Sequence, residues 1–370
     1  MSDLREAVRI GIIGCGQIAQ HHLTNYSKIP DAAVVACADI DRSAADSTAE
    51  RYGIPSVYYS GWELLKRDDL TAIDICLHNN LHMPATVAAL EAGKHVYCEK
   101  PMAGTYRDAE TMLRAAESTG RMLHIQLGRI YSDECRAAME LIKAGELGDL
   151  YHGRSTGFRR RGRPFVDGYG RMPFVQKHNS GGGALYDMGV YHISEMLYLL
   201  SNPAPVRISG KTYQKLAMDE TRARESGYSV EELGLGFVRL DGDLTIDVIE
   251  AWAMNLGGLE GSSVLGTKGG VCLEPFRFYR SVGDLDLNAE IDLESASLRW
   301  RRLRDPEDIY GSSQRLWVAA LQGRAALLPT ASIALNTMLI SEGIYISNRR
   351  GEEVSAVEVR ECSQSTPVPL

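Results

Sequence analysis

At 370 residues the chain is longer than one hydrophobic core usually organises, about 250 to 300 residues, so two domains are expected. Its 40 Lys and Arg against 48 Asp and Glu leave a formal charge of -8 with no basic stripe, which argues against a nucleic-acid partner. The start, MSDLREAVRIGIIG, lacks a basic segment followed by a long apolar one, no run of about 18 apolar residues offers a membrane span, and seven cysteines lie scattered without CxxC spacing. These features predict a soluble, cytoplasmic protein with reduced thiols, no metal site and no membrane association.

From residue 8 the apolar runs VRIGIIG, AAVVACAD, AIDICLH, KHVYCEK and RMLHIQLG alternate with helical stretches, among them 81–92, closed by Gly93, and 105–119, closed by Gly120. This is a βαβ rhythm, and it predicts an α/β protein whose first domain, 1–127, is a doubly wound parallel Rossmann sheet. Past a helix at 133–144 come longer strand candidates at 149–158, 206–215, 233–240, 244–253 and 262–273. They predict a second α/β domain, 128–370, with an open, mostly antiparallel sheet. An apolar helix at 183–200 interrupts it, and a last helix at about 330–348 follows the start signal Pro329-Thr330.

Gly14-x-Gly16-x-x-Ala19 closes the first run and opens a helix through Gln17 and Ile18, where small residues permit a tight turn and close approach of a pyrophosphate to backbone N–H groups. The second run ends in Asp39, whose carboxylate can accept the adenosine-ribose hydroxyls and repel a 2′-phosphate, so NAD is expected over NADP. The plainer alternative is that Asp39 or Asp41 caps the next helix, with Asp41 better placed; Arg42 leaves NADP open. Polar groups at later strand ends, His78-Asn79-Asn80-Leu81-His82, Glu99-Lys100 and Gln126, complete the expected cofactor side, because ligands of doubly wound sheets lie at that edge.

GIIGCGQIA, HNNLHMPATVAALEAGKHVYCEKPMA, RRRGRP and SGGGALYDMG, in this order and spacing, resemble the glucose-fructose oxidoreductase / inositol dehydrogenase / MocA family over nearly the whole chain, and LEGSSVLGTKGGVCL resembles its sheet segment. The resemblance implies an NAD(H)-dependent enzyme acting on sugars or polyols, with a second domain whose open sheet makes a homodimer or homotetramer. It carries Asn79 and His82 over to the cofactor side. Two departures stand out. Leu77-His78-Asn79 replaces the usual Thr-Pro-Asn, and Asp187-Met-Gly-Val-Tyr191, with His192 one step later, replaces an Asp-x-x-x-His pattern.

Oxidising a secondary alcohol requires a base near the hydroxyl. Lys100 is the first candidate, since partial burial and the positive ring of oxidised NAD both favour its neutral amine; a solvated lysine before a proline turn is the alternative. Asp187 and Tyr191, four apart on a helix, share a face, whereas His192 is turned by about 140°. Tyr191 would donate to the reacting oxygen or relay its proton with Lys100, as in the tyrosine-bearing members glucose-fructose oxidoreductase and dihydrodiol dehydrogenase, and Asp187 would hold a neighbouring hydroxyl. A core tyrosine and a structural histidine are the alternatives for Tyr191 and His192. Glycines 181–183 read as the hinge of this helix.

Arg159-Arg160-Arg161-Gly162-Arg163, with Lys177 and His178 nearby, raises an anionic substrate such as a sulfonated or carboxylated sugar, against a surface cluster. Three functions follow. The first is a sugar or polyol dehydrogenase. The second is a redox glycosidase that oxidises, eliminates, rehydrates and reduces on one bound NAD, drawing an extra base from Tyr191, His192, His178 or Tyr131. The third is a non-catalytic NAD-sensing protein.

Overall fold

The computed structural model describes residues 6–366. Six strands form a parallel sheet: β1 (Val8–Ile13), β2 (Ala32–Ala38), β3 (Ser56–Tyr58), β4 (Ala72–Ile75), β5 (His95–Cys98) and β6 (Leu123–Ile125), ordered β3-β2-β1-β4-β5-β6. Helices cover both faces, which is why β1 and β4 are almost continuously apolar and buried. Only β3 has no counterpart among the apolar runs. It is a three-residue, half-buried edge strand, and an edge needs no continuous apolar sequence.

Nine further strands form the second sheet: β7 (Leu150–Phe158), β8 (Pro205–Tyr213), β9 (Leu233–Leu240), β10 (Leu244–Ala251), β11 (Ser263–Gly266), β12 (Gly270–Leu273), β13 (Phe276–Val282), β14 (Leu285–Glu290) and β15 (Val354–Ser355). Their order is β14-β13-β12-β11-β7-β10-β9-β8-β15, antiparallel except where β7 meets β10. The single strand expected at 262–273 is a hairpin, because Gly266 donates back to the Gly269 carbonyl and reverses the chain. β13 and β14 lie outside the expected strands: β14 (LDLNAE) does alternate apolar with polar residues, but it is short and almost wholly exposed, and β13 (FRFYRSV) mixes aromatic and charged residues with only Phe276 buried.

One face of this sheet is covered by helices Val190–Leu199 and Thr330–Arg350. The other carries His152, Arg154, Phe237, Asp247 and Leu265 on registered neighbours, several of them exposed.

Two segments between β14 and β15 return to the first sheet. Helix Ser313–Leu321 buries Trp317 and Val318 against Val8, Ile10 and Tyr97, and Thr330 bonds both His124 and the Ile125 N–H in β6. These returns tie the later half of the chain to the first sheet. No helix among the described residues is long and apolar enough to cross a membrane.

Candidate active site

At the end of β1, Gly14 has φ +93°, and a Cβ there would lie 2.3 Å from the Cys76 carbonyl oxygen, so the turn admits only glycine. Gly16 precedes helix Gln17–Tyr26, which has no side-chain cap, and the space where its Cβ would stand is open. Uncapped N–H groups beside open space form a seat for a pyrophosphate. Ala19 is buried in the core behind this seat, while Ile18 reaches the cleft. Asp39 accepts from the Cys15 N–H (2.7 Å) and the Asp41 N–H (2.9 Å), which fixes its carboxylate at the end of β2. The helix cap is Asp41, bonded to the Ser43 and Ala44 N–H groups. Arg42 lies over the Tyr59 ring at 4.2 Å. The set fits a dinucleotide: a glycine-lined anion seat followed by a backbone-fixed acid.

Beside it a cleft of about 250 Å³ opens between the sheets. Lys100, at the end of β5, donates to the Asp187 carboxylate (3.0 Å) and to the Asp187 carbonyl (2.9 Å), and its Nζ lies 4.5 Å from the centre of the Tyr191 ring. The other Asp187 oxygen accepts from Trp252 Nε1 (2.9 Å), with Arg159 at 3.7 Å. Asp187 sits in a π-helical turn, Leu185–Gly189, that runs into helix Val190–Leu199 carrying Tyr191, so one lysine meets both residues.

The electrostatics correct one expectation. Burial does push Lys100 down, but Asp187, followed by Tyr191 and Glu99, outweighs it and holds the ammonium above its ordinary range. Burial likewise pushes Asp187 up, yet Lys100 keeps it below the usual carboxylate range. Burial raises Tyr191, and Lys100 offsets only part of that. The cluster is an ammonium–carboxylate pair beside a neutral phenol.

Other expected cofactor-side residues face different ways. Asn79 and His78 line the cleft, and Asn79 bonds the Ser180 carbonyl (2.8 Å). Burial, aided by Arg171, lowers His78. Glu99 borders the cleft but turns its carboxylate inward, accepting from His22 Nε2 (2.8 Å) and the Lys100 N–H (3.0 Å); His22 in turn meets Asp74 at 2.9 Å. His82 is fully buried, with its ring nitrogens on the Pro101 and Leu77 carbonyls, so it braces the loop from behind. Gln126 is bonded through its N–H to Cys98, and its side-chain oxygen is buried without a protein partner.

His192 points to the second sheet, 2.9 Å from Glu250, and is not part of the cleft wall. Tyr131 packs beside His124 in the aromatic group that includes Trp317, and His178 is exposed, its carbonyl bonded by Asn80. The arginine run divides. Arg163 is buried between Asp167 (2.9 Å) and Glu232 (3.0 Å), whereas Arg159 reaches the rim, over Tyr169 and close to Asp187. Glycines 181–183 form a close-packed turn rather than a loose hinge: a Cβ on Gly182 would stand 2.1 Å from Tyr345 Oη. His22, Trp252 and Glu231 escaped sequence reasoning. His22 lies on an otherwise ordinary helix, Trp252 ends an apolar strand, and Glu231 precedes one; no local pattern marks any of them.

A parallel sheet with a dinucleotide seat, and a lysine–aspartate–tyrosine cluster beside it, define an NAD-binding oxidoreductase. Residues 8–127 match the profile described as the oxidoreductase family with NAD-binding Rossmann fold, and 135–272 match the GFO/IDH/MocA C-terminal domain. The chain belongs to the glucose-fructose oxidoreductase / inositol dehydrogenase / MocA family. It is 27% identical to the D-glucoside 3-dehydrogenase of Escherichia coli over 94% of this chain and 97% of that one. It is also 26% identical to the myo-inositol 2-dehydrogenase of Thermotoga maritima over 52% and 55%. An oxidoreductase from Agrobacterium radiobacter, solved with NAD+, L-tartaric acid and magnesium, shares the fold with a TM-score of 0.76 at 18% identity, over 95% of this chain and 99% of that one.

Proposed function

We propose that the protein is an NAD(H)-dependent dehydrogenase acting on a secondary hydroxyl of a sugar, polyol or sugar derivative. The observation that carries this reading is the Lys100–Asp187–Tyr191 cluster at the mouth of the dinucleotide seat. Similarity to a D-glucoside 3-dehydrogenase along almost the whole chain supports the carbohydrate class. Asp39, held by two backbone N–H groups, supports NAD over NADP, because a fixed carboxylate repels a 2′-phosphate.

When bound, NAD accepts or returns the hydride. The chain's own residues handle the proton. As an ammonium, Lys100 is set to give a proton to a carbonyl oxygen being reduced, with Tyr191 alongside; oxidation requires Lys100 to lose that proton first. Asp187, tied to Lys100 and Trp252, orients the lysine and accepts from a neighbouring substrate hydroxyl. The division of labour we propose gives the cofactor to 1–127, and gives the substrate and subunit contacts to 128–370. The face bearing Phe237 and Leu265 would pair copies of the chain.

The test follows NADH absorbance and product release together over free sugars, polyols, sugar acids and aryl glycosides, sulfonated ones included. Stoichiometric NADH from a free sugar is the expected result. Aglycone release without net NADH would replace this reading with the redox glycosidase. Cofactor binding without turnover of any of them would favour the NAD-sensing protein.

A further inference from the structure

The residues that touch Lys100 come from a helix whose start is held by an acid far away in sequence. Glu231, in the loop before β9, is 7% exposed. One of its oxygens accepts from the Leu185 N–H (3.0 Å) and Tyr345 Oη (2.8 Å), and both approach the Gly183 N–H, at 3.1 and 2.9 Å. It thus takes up N–H groups that open the helical segment bearing Asp187 and Tyr191, the part that a cap plays at other helix starts.

The fit explains the glycine motif. A Cβ on Gly183 would lie 2.0 Å from the Glu231 carbonyl oxygen, and one on Gly182 would strike Tyr345. Gly183 O then accepts from the Asp187 N–H (2.9 Å), so the anchored glycine is one bond from the residue that meets Lys100. The next residue, Glu232, ties the same loop to Arg163 and, through its carbonyl, to the Trp252 N–H (2.8 Å). Two adjacent acids therefore hold the glycine turn, the arginine loop and the strand of Trp252 in one arrangement.

We infer that Glu231 is a positioning residue of the reaction: by anchoring the Gly181–Gly183 turn it sets the phase of the following π turn and aims Asp187 at Lys100. The inference rests on the dehydrogenase reading, and its test separates the two. Wild-type turnover and its loss in Lys100→Ala address the reading. Glu231→Ala is then expected to lower kcat by about 10- to 100-fold, the scale of a misplacement near 1 Å, with NAD affinity changed less than about twofold. Glu231→Gln keeps an acceptor for Leu185 and Tyr345 and should recover most of the lost turnover. Tyr345→Phe removes one bond and should lower kcat several-fold; it carries the test if Glu231→Ala does not fold.

Trp252 emission, assigned by difference from Trp252→Phe, reads the Trp252–Asp187 contact without any substrate. It should change in Glu231→Ala and return in Glu231→Gln. A Glu231→Ala protein with lowered Tm but unchanged kcat and Trp252 emission would overturn the inference, as would a glutamine variant no better than the alanine one.

Discussion

The two walls of the cleft are built by different means. On the dinucleotide side, Gly14, Gly16 and Asp39 act through backbone shape close to their own strand ends, and Asp39 reaches partners only 2 and 24 residues away. On the substrate side, Lys100 meets Asp187 across 87 residues, Asp187 meets Trp252 across 65, and Arg163 meets Glu232 across 69. A local turn can be recognised from a few letters of sequence. A wall assembled by long-range pairs becomes visible only when the chain has folded.

The contrast can be broken at four points. The largest effect is expected at Arg163, whose guanidinium is buried between two carboxylates: Arg163→Ala should destabilise the protein by about 3 to 5 kcal/mol, because it leaves buried charge unpaired. Denaturant titration measures this, and NAD affinity of the folded fraction should hold; a near-neutral change would mean that the substrate wall does not depend on its long-range pairs. Next, Lys100→Ala should lower turnover by at least ~100-fold with NAD binding largely retained, and near-normal turnover would remove Lys100 from the mechanism.

Asp39→Ala should weaken NAD binding by about tenfold and relax discrimination against NADP, read by titrating both cofactors; unchanged preference would assign the ribose to another residue. The smallest effect concerns pH. Lys100 is held above its ordinary range, so oxidation should rise, and carbonyl reduction fall, as pH climbs through its folded-state pKa. Asp187→Asn removes the largest influence holding the ammonium and should move that rise to lower pH by about one unit or more. A pH–rate profile left in place would separate Lys100 from the titrating group.

The same division decides what the sequence could reveal. The parallel sheet, the glycine turn, Asp39 and Asp41 were legible because apolar runs and turn residues report their own neighbourhood. So was the shared Asp187–Tyr191 face, since helical spacing carries it. The upward shift of Lys100 was not, because it depends on a carboxylate 87 residues away. His82 follows the same rule: the motif gives its place, but only the folded loop shows both ring nitrogens on backbone carbonyls. β13 and β14 were missed for another reason: they form the outer end of the second sheet, with β14 at its edge and almost wholly exposed, so its short alternating run (LDLNAE) is not backed by a buried core face.

Helix Ser313–Leu321 has a consequence for protein engineering. Because Trp317 and Val318 complete the packing of Val8, Ile10 and Tyr97, the cofactor half is not a portable cassette. A chimera that grafts residues 1–127 onto a foreign substrate domain would leave an apolar scar where Trp317 belongs. Any crossover between relatives that respects the fold has to bring 313–321 along with the first sheet.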